Sequence, residues 1–242
     1  MQNSVIIFGS TGAIGSSIAL QLKKEGYKLI LHGNKNSKKL KSLSRKLRQP
    51  SFSLDLSKVH QIESFVKKIK KNNKKLFGIV FSVGSIFPKK LTFNNDWSVF
   101  QSQIDLQIKS FHYILKKLKP LLEKQKNGSR IIVVLSEFLI GTPPIKTSPY
   151  LVAKSALQTY CKIISQEIIK QNIRLFMVAP GMLRSNLTSD IPEEYMKMIE
   201  KDMPENKMTT PEDVSQVCSF LMKKSSDSLY GTLIPISRAK RR

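Results

Sequence analysis

Short, mostly apolar runs rich in β-branched and aromatic residues recur along the chain: Val5-Ile6-Ile7-Phe8, Leu29-Ile30-Leu31, Phe52-Ser53-Leu54, Ile79-Val80-Phe81, Ile131-Ile132-Val133-Val134 and Leu175-Phe176-Met177-Val178. Between them lie longer stretches whose apolar positions repeat at helical spacing, such as Ile14, Ile18 and Leu22, or Ile62, Phe65, Val66 and Ile69. A strand apolar on both faces and followed by a helix belongs to a parallel sheet covered on both sides. The pattern therefore predicts an α/β fold, a single doubly wound Rossmann-type domain over 1–242 with about seven parallel strands and helices on both faces. In that architecture ligands gather at the carboxyl ends of the strands. One stretch differs in texture. From Met182 to Met208 the chain carries five methionines among prolines and charges. It reads either as a substrate lid over about 182–210 or as a surface helix with core-facing methionines.

Composition narrows the class further. The chain has 242 residues, 40% of them hydrophobic, enough for one sizeable core. No apolar stretch reaches the roughly 18 residues of a spanning helix, and no basic segment precedes the first apolar run, so the expected location is cytoplasmic. Cys161 and Cys218 sit in apolar-periodic segments without CxxC spacing, and His32, His60 and His112 share no ligand spacing, so neither a disulfide scaffold nor a metal site is expected. The net charge of +24 admits a polyanionic partner, an acidic carrier protein or a bias of base composition. Lysine runs such as that from Lys67 to Lys75 read as solvated helix faces. Specific nucleic-acid binding is not expected, since no recognition module or interleaved aromatic pattern accompanies the charge.

Directly after the first strand comes Gly9-Ser10-Thr11-Gly12-Ala13-Ile14-Gly15, opening a helix. Glycines there let the backbone turn tightly and approach a pyrophosphate, whose charge the helix amides and dipole receive. NAD binders place a carboxylate at the end of the second strand to hold the ribose 2′-hydroxyl. This chain has no Asp or Glu from Gly26 through Leu54, and that corner instead carries Asn34, Lys35, Lys38 and Lys39. A 2′-phosphate suits such a corner, which favours NADP over NAD.

Tyr150 and Lys154 lie four apart on one helix face, and a nearby ammonium favours the phenolate, fitting the phenol for proton transfer. In so lysine-rich a chain the spacing alone does not distinguish them, and Tyr113 and Lys117 repeat it. The context does: Ser136 closes the preceding strand at the sheet edge, where its hydroxyl can meet a substrate carbonyl.

With these residues the chain closely resembles the short-chain dehydrogenase/reductase family over nearly its whole length. The matches come in family order: Gly9 to Gly15, Asp55-Leu56, Ser82-Val83-Gly84 where the family usually has Asn-Ala-Gly, Ser136, Tyr150 with Lys154, and Pro180-Gly181-Met182-Leu183. The segments Thr209 to Val214 and Gly231 to Ile234 resemble those of 3-oxoacyl-acyl carrier protein reductases. The resemblance implies that Tyr150 is the general acid/base, that Ser136 orients the carbonyl, and that Lys154 tunes the tyrosine and holds the nicotinamide ribose. It implies a cofactor site of Gly9, Ser10, Thr11, Gly12, Ile14, Gly15, Asn34, Lys35, Asp55, Leu56, Ser82, Gly84, Tyr150, Lys154, Pro180, Gly181, Leu183 and Ser185, with Asp55 near the adenine. Gln107 stands where many members have a catalytic asparagine. Four departures accompany the match: the glycines run G-x-x-G-x-x-G, Gln107 is one methylene longer than the asparagine, Ser136 precedes Tyr150 by one position more than usual, and Ile236-Ser237-Arg238 with a basic tail over 237–242 replaces the family's ending. The expected activity is NADPH-dependent carbonyl reduction. A 3-oxoacyl thioester on an acyl carrier, and a sugar or other small ketone, both stand open as substrate, as does a silent NADP-binding sensor. A homodimer or homotetramer is implied, formed through the helices Trp97 to Lys126 and Pro149 to Lys170.

Overall fold

The computed structural model describes residues 3–34 and 37–239. Seven strands form one parallel sheet: β1 (Ser4–Phe8), β2 (Lys28–Gly33), β3 (Ser51–Ser53), β4 (Gly78–Phe81), β5 (Ser129–Val134), β6 (Ile173–Pro180) and β7 (Leu233–Ile236). Their order across the sheet is β3-β2-β1-β4-β5-β6-β7, and every pairing is parallel. The order reverses between β1 and β4, and a crevice opens there at the carboxyl ends of the strands. The expected single Rossmann-type α/β domain is the fold found.

Alternation along the strands sorts the core into two layers. Val5 and Ile7 of β1 face a cluster with Ile18, Ala19 and Leu22 of helix α1 (Ala13–Lys24), Leu40 and Leu43 of α2 (Ser37–Leu47), and Val214, Cys218 and Leu221 of α8 (Pro211–Leu221). Ile6 and Phe8 face the opposite cluster, with Ile62, Phe65 and Ile69 of α3 (Val59–Asn72), Phe111 and Leu118 of α5 (Ser110–Glu123), and Leu157 and Cys161 of α6 (Ser148–Ile168). Both cysteines are free and buried, one in each layer. Arg130 of β5 is buried but paired with Asp227 at 2.5 Å, and Arg174 of β6 reaches the same carboxylate at 3.2 Å.

Two elements depart from the sequence pattern. The long helix expected over Trp97 to Lys126 is interrupted: α4 (Trp97–Ile104) runs into a π-helical turn (Asp105–Lys109) before α5 begins. The methionine-rich stretch holds a 3₁₀ turn (Asn186–Thr188) and α7 (Glu193–Lys201), and it builds its own small apolar cluster from Met196, Ile199, Met203 and Met208. Among the described residues no helix is long and apolar enough to cross a membrane.

Candidate functional site

The glycine loop is shaped by backbone contacts. Gly9 sits at φ +81°, and a β-carbon there would lie 2.2 Å from the carbonyl oxygen of Ser82. A β-carbon on Gly15 would lie equally close to the carbonyl oxygen of Gly9, so these two glycines lock α1 and β4 onto the end of β1. Gly12 is different: the nearest atom to its virtual β-carbon is 3.4 Å away. It is the N-cap of α1, provides no side-chain cap, and no acidic residue occupies the first turn. The first amides of α1 therefore face the crevice without a side-chain acceptor. This uncapped, positively polarised helix end fits a pyrophosphate.

The crevice encloses about 560 Å³, within the range of small-molecule sites. Of the residues expected at the cofactor, Gly9, Thr11, Gly12, Ile14, Asn34, Leu56, Ser82, Gly84, Tyr150, Lys154, Pro180, Gly181, Leu183 and Ser185 line it. Lys35 lies outside the described residues. Three others are turned away from it. Ser10 is fully buried, donating its hydroxyl to the His32 carbonyl at 2.9 Å. Gly15 packs inside the loop as described. The Asp55 carboxylate accepts from the amide and hydroxyl of Ser57 at 2.9 and 2.8 Å, closing the turn after β3 instead of lining the crevice.

His32, which shares no ligand spacing with the other histidines, lines the crevice. Its Nδ1 accepts from the Gly9 amide at 3.2 Å, and its Nε2 meets the Leu54 carbonyl at 3.0 Å, so the ring is neutral with the proton on Nε2. Burial holds its pKa down at about 4, against the Leu54 hydrogen bond and the Asp55 charge. The ring thus ties β2 and β3 to the glycine loop, a role that no local motif announces.

On the other side of the crevice β5 delivers Ser136 and α6 delivers Tyr150 and Lys154, all buried. Ser136 accepts weakly from the Phe138 amide at 3.4 Å, and its hydroxyl hydrogen-bonds to the Tyr150 phenol. Burial pushes the Tyr150 pKa up to about 12, the Ser136 bond opposing it. Lys154 donates to the carbonyls of Val134 at 2.7 Å and Val83 at 3.3 Å, with its Nζ 5.7 Å from the Tyr150 ring centroid. Burial lowers its pKa to about 7, Cys161 acting against it. The expectation that the ammonium would lower the phenol's pKa is corrected here: the lysine is held by backbone carbonyls, and desolvation of the phenol wins. The Phe87 ring stacks on Tyr150 with centroids 5.3 Å apart and planes 7° apart.

Gln107 is completely buried in the π-helical turn and does not line the crevice; its neighbour Leu106 does. Glu137, next to Ser136, is also away from the lining: its Oε1 accepts from the Met182 amide at 3.3 Å, anchoring the start of the methionine-rich stretch. That stretch brings Met182 and Ser185 to Thr188 to the crevice wall, and Leu187 packs with Phe138 on the Phe87 and Tyr150 cluster. Among the described residues Lys154 is the one Lys or Arg in the lining, and no carboxylate lines it. No group of three His, Cys, Asp or Glu side chains gathers as metal donors among the described residues.

Fold, glycine loop and the Ser136, Tyr150 and Lys154 cluster define an oxidoreductase of the short-chain dehydrogenase/reductase class. The family model described as enoyl-(acyl carrier protein) reductase matches residues 9–237, and the chain belongs to this family of NAD(P)-dependent enzymes. Among similar proteins are an uncharacterized oxidoreductase, YmfI, of Bacillus subtilis, 24% identical with 98% of each chain covered, and the 3-oxoacyl-[acyl-carrier-protein] reductase FabG of Rickettsia typhi, 28% identical over 96% of this chain and 94% of that one. Among solved structures, a Pseudomonas aeruginosa RhlG/NADP active-site complex superposes with a TM-score of 0.90 at 19% identity, covering 98% of this chain and 95% of that one. The enoyl-[acyl-carrier-protein] reductase (NADH) of Aquifex aeolicus superposes with a TM-score of 0.89, also at 19% identity, covering 98% and 95%.

Proposed function

We propose that the protein reduces the carbonyl of an uncharged, largely apolar substrate, with NADPH as the hydride donor and Tyr150 as the proton donor. The observation that carries this reading is the buried Ser136–Tyr150 pair, with a phenol whose pKa of about 12 keeps it protonated at neutral pH. A protonated phenol is ready to give its proton to a developing alkoxide, the requirement of reduction. Ser136 holds the carbonyl oxygen by a hydrogen bond that strengthens as negative charge develops on it. Lys154 stands close enough to the phenol to stabilise the phenolate left behind, and Phe87 covers the ring and keeps water from it. The bound dinucleotide supplies the hydride. Gly9, Gly12 and the first turn of α1 would hold its pyrophosphate. Asn34, Lys35 and the acid-free corner after β2 favour the phosphorylated form.

The lining also bears on substrate class. Leu106, Phe138, Met182 and Leu187 present apolar surface, and the polar side chains are hydroxyls, the amides of Asn34 and Asn186, His32 and Lys154, with no carboxylate among the described residues. A sugar, whose hydroxyls need acceptors such as carboxylates, suits this wall less well than an acyl chain. The FabG relatives are 3-oxoacyl-[acyl-carrier-protein] reductases, and a 3-oxoacyl thioester is the substrate we favour. The basic surface would draw an acidic carrier electrostatically, and the stretch from Met182 to Met208 would cover the acyl chain.

NADPH oxidation with acetoacetyl thioesters and simple ketones, beside a Tyr150→Phe variant, tests the reading. Loss of the phenolic proton donor is expected to slow reduction by about 10²- to 10⁴-fold while NADPH binding persists. Turnover that survives the substitution would remove Tyr150 from the mechanism.

A further inference from the structure

The wall of the crevice contains a polar chain that the chemistry above does not use. Gln107 and Gln103, one turn apart across the start of the π-helical turn, are both buried, at 0% and 1% exposure. The Gln107 amide Nε2 donates to the Gln103 Oε1 at 2.9 Å. The Gln103 Nε2 in turn donates to the Ser85 Oγ at 2.8 Å. Ser85 lies on the segment after β4 and lines the crevice, as do Ile86, Leu106 and Phe138.

The direction of the chain decides what Ser85 can do. A hydroxyl has one proton to give and lone pairs to receive. Here a lone pair is already taken by the Gln103 amide, and among the described residues no protein acceptor takes the Ser85 proton. The amide that occupies Ser85 is itself oriented by Gln107, so the order of donors runs from the helix interior toward the crevice. Burying two glutamine side chains is costly unless they are hydrogen-bonded; Gln103 is bonded through both its amide atoms and Gln107 through its Nε2, while the Gln107 Oε1 has no partner among the described residues. Such a pair in an apolar wall directs a donor to one point of that wall.

We propose that Ser85, held by Gln103 and Gln107, is a substrate-positioning residue that donates a hydrogen bond to a second oxygen of the substrate, one other than the carbonyl held by Ser136 and Tyr150. The ligand class this recognises is a dicarbonyl compound, such as a 3-oxoacyl thioester, whose thioester oxygen meets Ser85 while the keto oxygen meets the catalytic pair. The inference rests on the carbonyl-reductase reading and adds to it the choice between a dicarbonyl and a simple ketone. The π-helical turn has a structural purpose in this account: it sets the amide of Gln107 against that of Gln103 where the helix passes the crevice.

The test compares two substrates on three proteins. The N-acetylcysteamine thioester of acetoacetate supplies the second oxygen, and a methyl ketone of similar length lacks it. Steady-state reduction of each is measured with the unaltered protein, Ser85→Ala and Ser85→Thr, with NADPH affinity titrated on all three. The expected result is a fall in kcat/KM for the thioester, carried mainly by KM, that exceeds the fall for the methyl ketone by about tenfold, the worth of one good hydrogen bond to substrate. Ser85→Thr, which keeps the hydroxyl, should recover most of that difference. Equal losses on the two substrates, or a threonine variant no better than alanine, would make Ser85 a structural residue and overturn the inference while leaving the reductase reading intact. A loss confined to NADPH affinity would assign the Ser85 proton to the cofactor and overturn it equally. If the unaltered protein reduces neither substrate, the reductase reading falls, and the inference with it.

Discussion

Two helices packed against each other on one face of the sheet, α1 and α8, begin in opposite ways. Helix α8 starts with a complete set of internal partners. The Thr210 hydroxyl accepts from the Asp213 amide at 3.2 Å, the Asp213 carboxylate accepts from the Thr210 amide at 2.8 Å, Pro211 opens the first turn and Glu212 adds negative charge. Arg238 then grips the outer side of Asp213 with two nitrogens, at 2.7 and 3.1 Å. Helix α1 has none of this: its cap is a glycine, its first turn holds no acid, and its amides face the crevice. Helix α3 also starts without a side-chain cap; what sets α1 apart is that its open end lies at the crevice, where an external anion is a natural partner for the amides. Lys154 repeats the lesson on the other side of the site. It is a buried ammonium with two backbone carbonyls and no carboxylate for company.

The comparison breaks most sharply if α1 is given the kind of cap that α8 has. In Gly12→Asp the new β-carbon has room, since the nearest atom to its position is 3.4 Å away. The carboxylate would accept from the first-turn amides and place a negative charge where we propose the pyrophosphate binds. NADPH affinity is expected to fall by about 100-fold, through loss of charge-assisted bonds and added repulsion. The melting temperature should stay level or rise, because the helix gains a cap. Isothermal titration and thermal melting on the same sample read both effects. Undiminished affinity would mean that the dinucleotide does not use this helix end.

How the sequence already showed the first half of the site, and hid the second, follows from the same contrast. The glycine loop is legible as a motif because its glycines fall within seven consecutive positions, although only the Gly15 constraint is local: its β-carbon would strike the Gly9 carbonyl, whereas that of Gly9 would strike the carbonyl of the distant Ser82, each 2.2 Å away. Ser136, Tyr150 and Lys154 were readable because each ends or follows a strongly periodic element. The remaining walls come from side chains far apart in the chain. Nothing near Phe87 marks it as the residue that stacks on Tyr150, and nothing in Gln103 or Ser85 announces their bond across 18 positions. The π-helical turn at Asp105–Lys109 likewise was not marked by any residue in the sequence pattern read as one long helix. Asp55 was expected near the adenine on its motif position, which is a matter of backbone; its carboxylate closes the turn with Ser57 two residues away, a bond that motif position does not show. Lys154 was expected to lower the phenol's pKa because spacing places the two on one helix face. Spacing is silent on desolvation, which dominates both groups.

That desolvation gives a second, smaller effect on the free protein. Burial lowers the Lys154 pKa to about 7, below the 10.5 of an exposed lysine. Between those values the unfolded chain binds a proton that the native state has released, so stability rises with pH. Below about pH 7 both states are protonated, and the cost of burying the ammonium is present in full. The titratable groups facing Lys154 do not compete between pH 7 and about 8: Tyr150 and Cys161 are both raised and keep their protons there. His32, with its pKa lowered to about 4, acts only on the acid side. Urea unfolding of the free protein should therefore show stability increasing from pH 7 to about 8, and Lys154→Met should flatten the increase. A slope that persists in the methionine variant would assign it to another group. Saturating NADPH should also reduce the slope, if the bound cofactor brings the ammonium a partner.

The smallest effect is expected at α8, and it separates capping from ligand binding. Thr210→Ala removes one half of the capping box and leaves the Asp213 amide without its acceptor, a loss of about 1 kcal/mol. Asp213 keeps Arg238 and the Thr210 amide, which limits the damage to the first turn. NADPH affinity should not change, since Thr210 does not line the crevice. Combining Thr210→Ala with Gly12→Asp makes the comparison quantitative. The two helix starts share no hydrogen-bonding partner, although the helices touch along their lengths. Their stability effects should then add to within about 0.5 kcal/mol, and the affinity loss should follow Gly12→Asp alone. Coupling larger than that would mean that the open end of α1 is held in place by the closed end of α8, and that the two helix starts work as one unit.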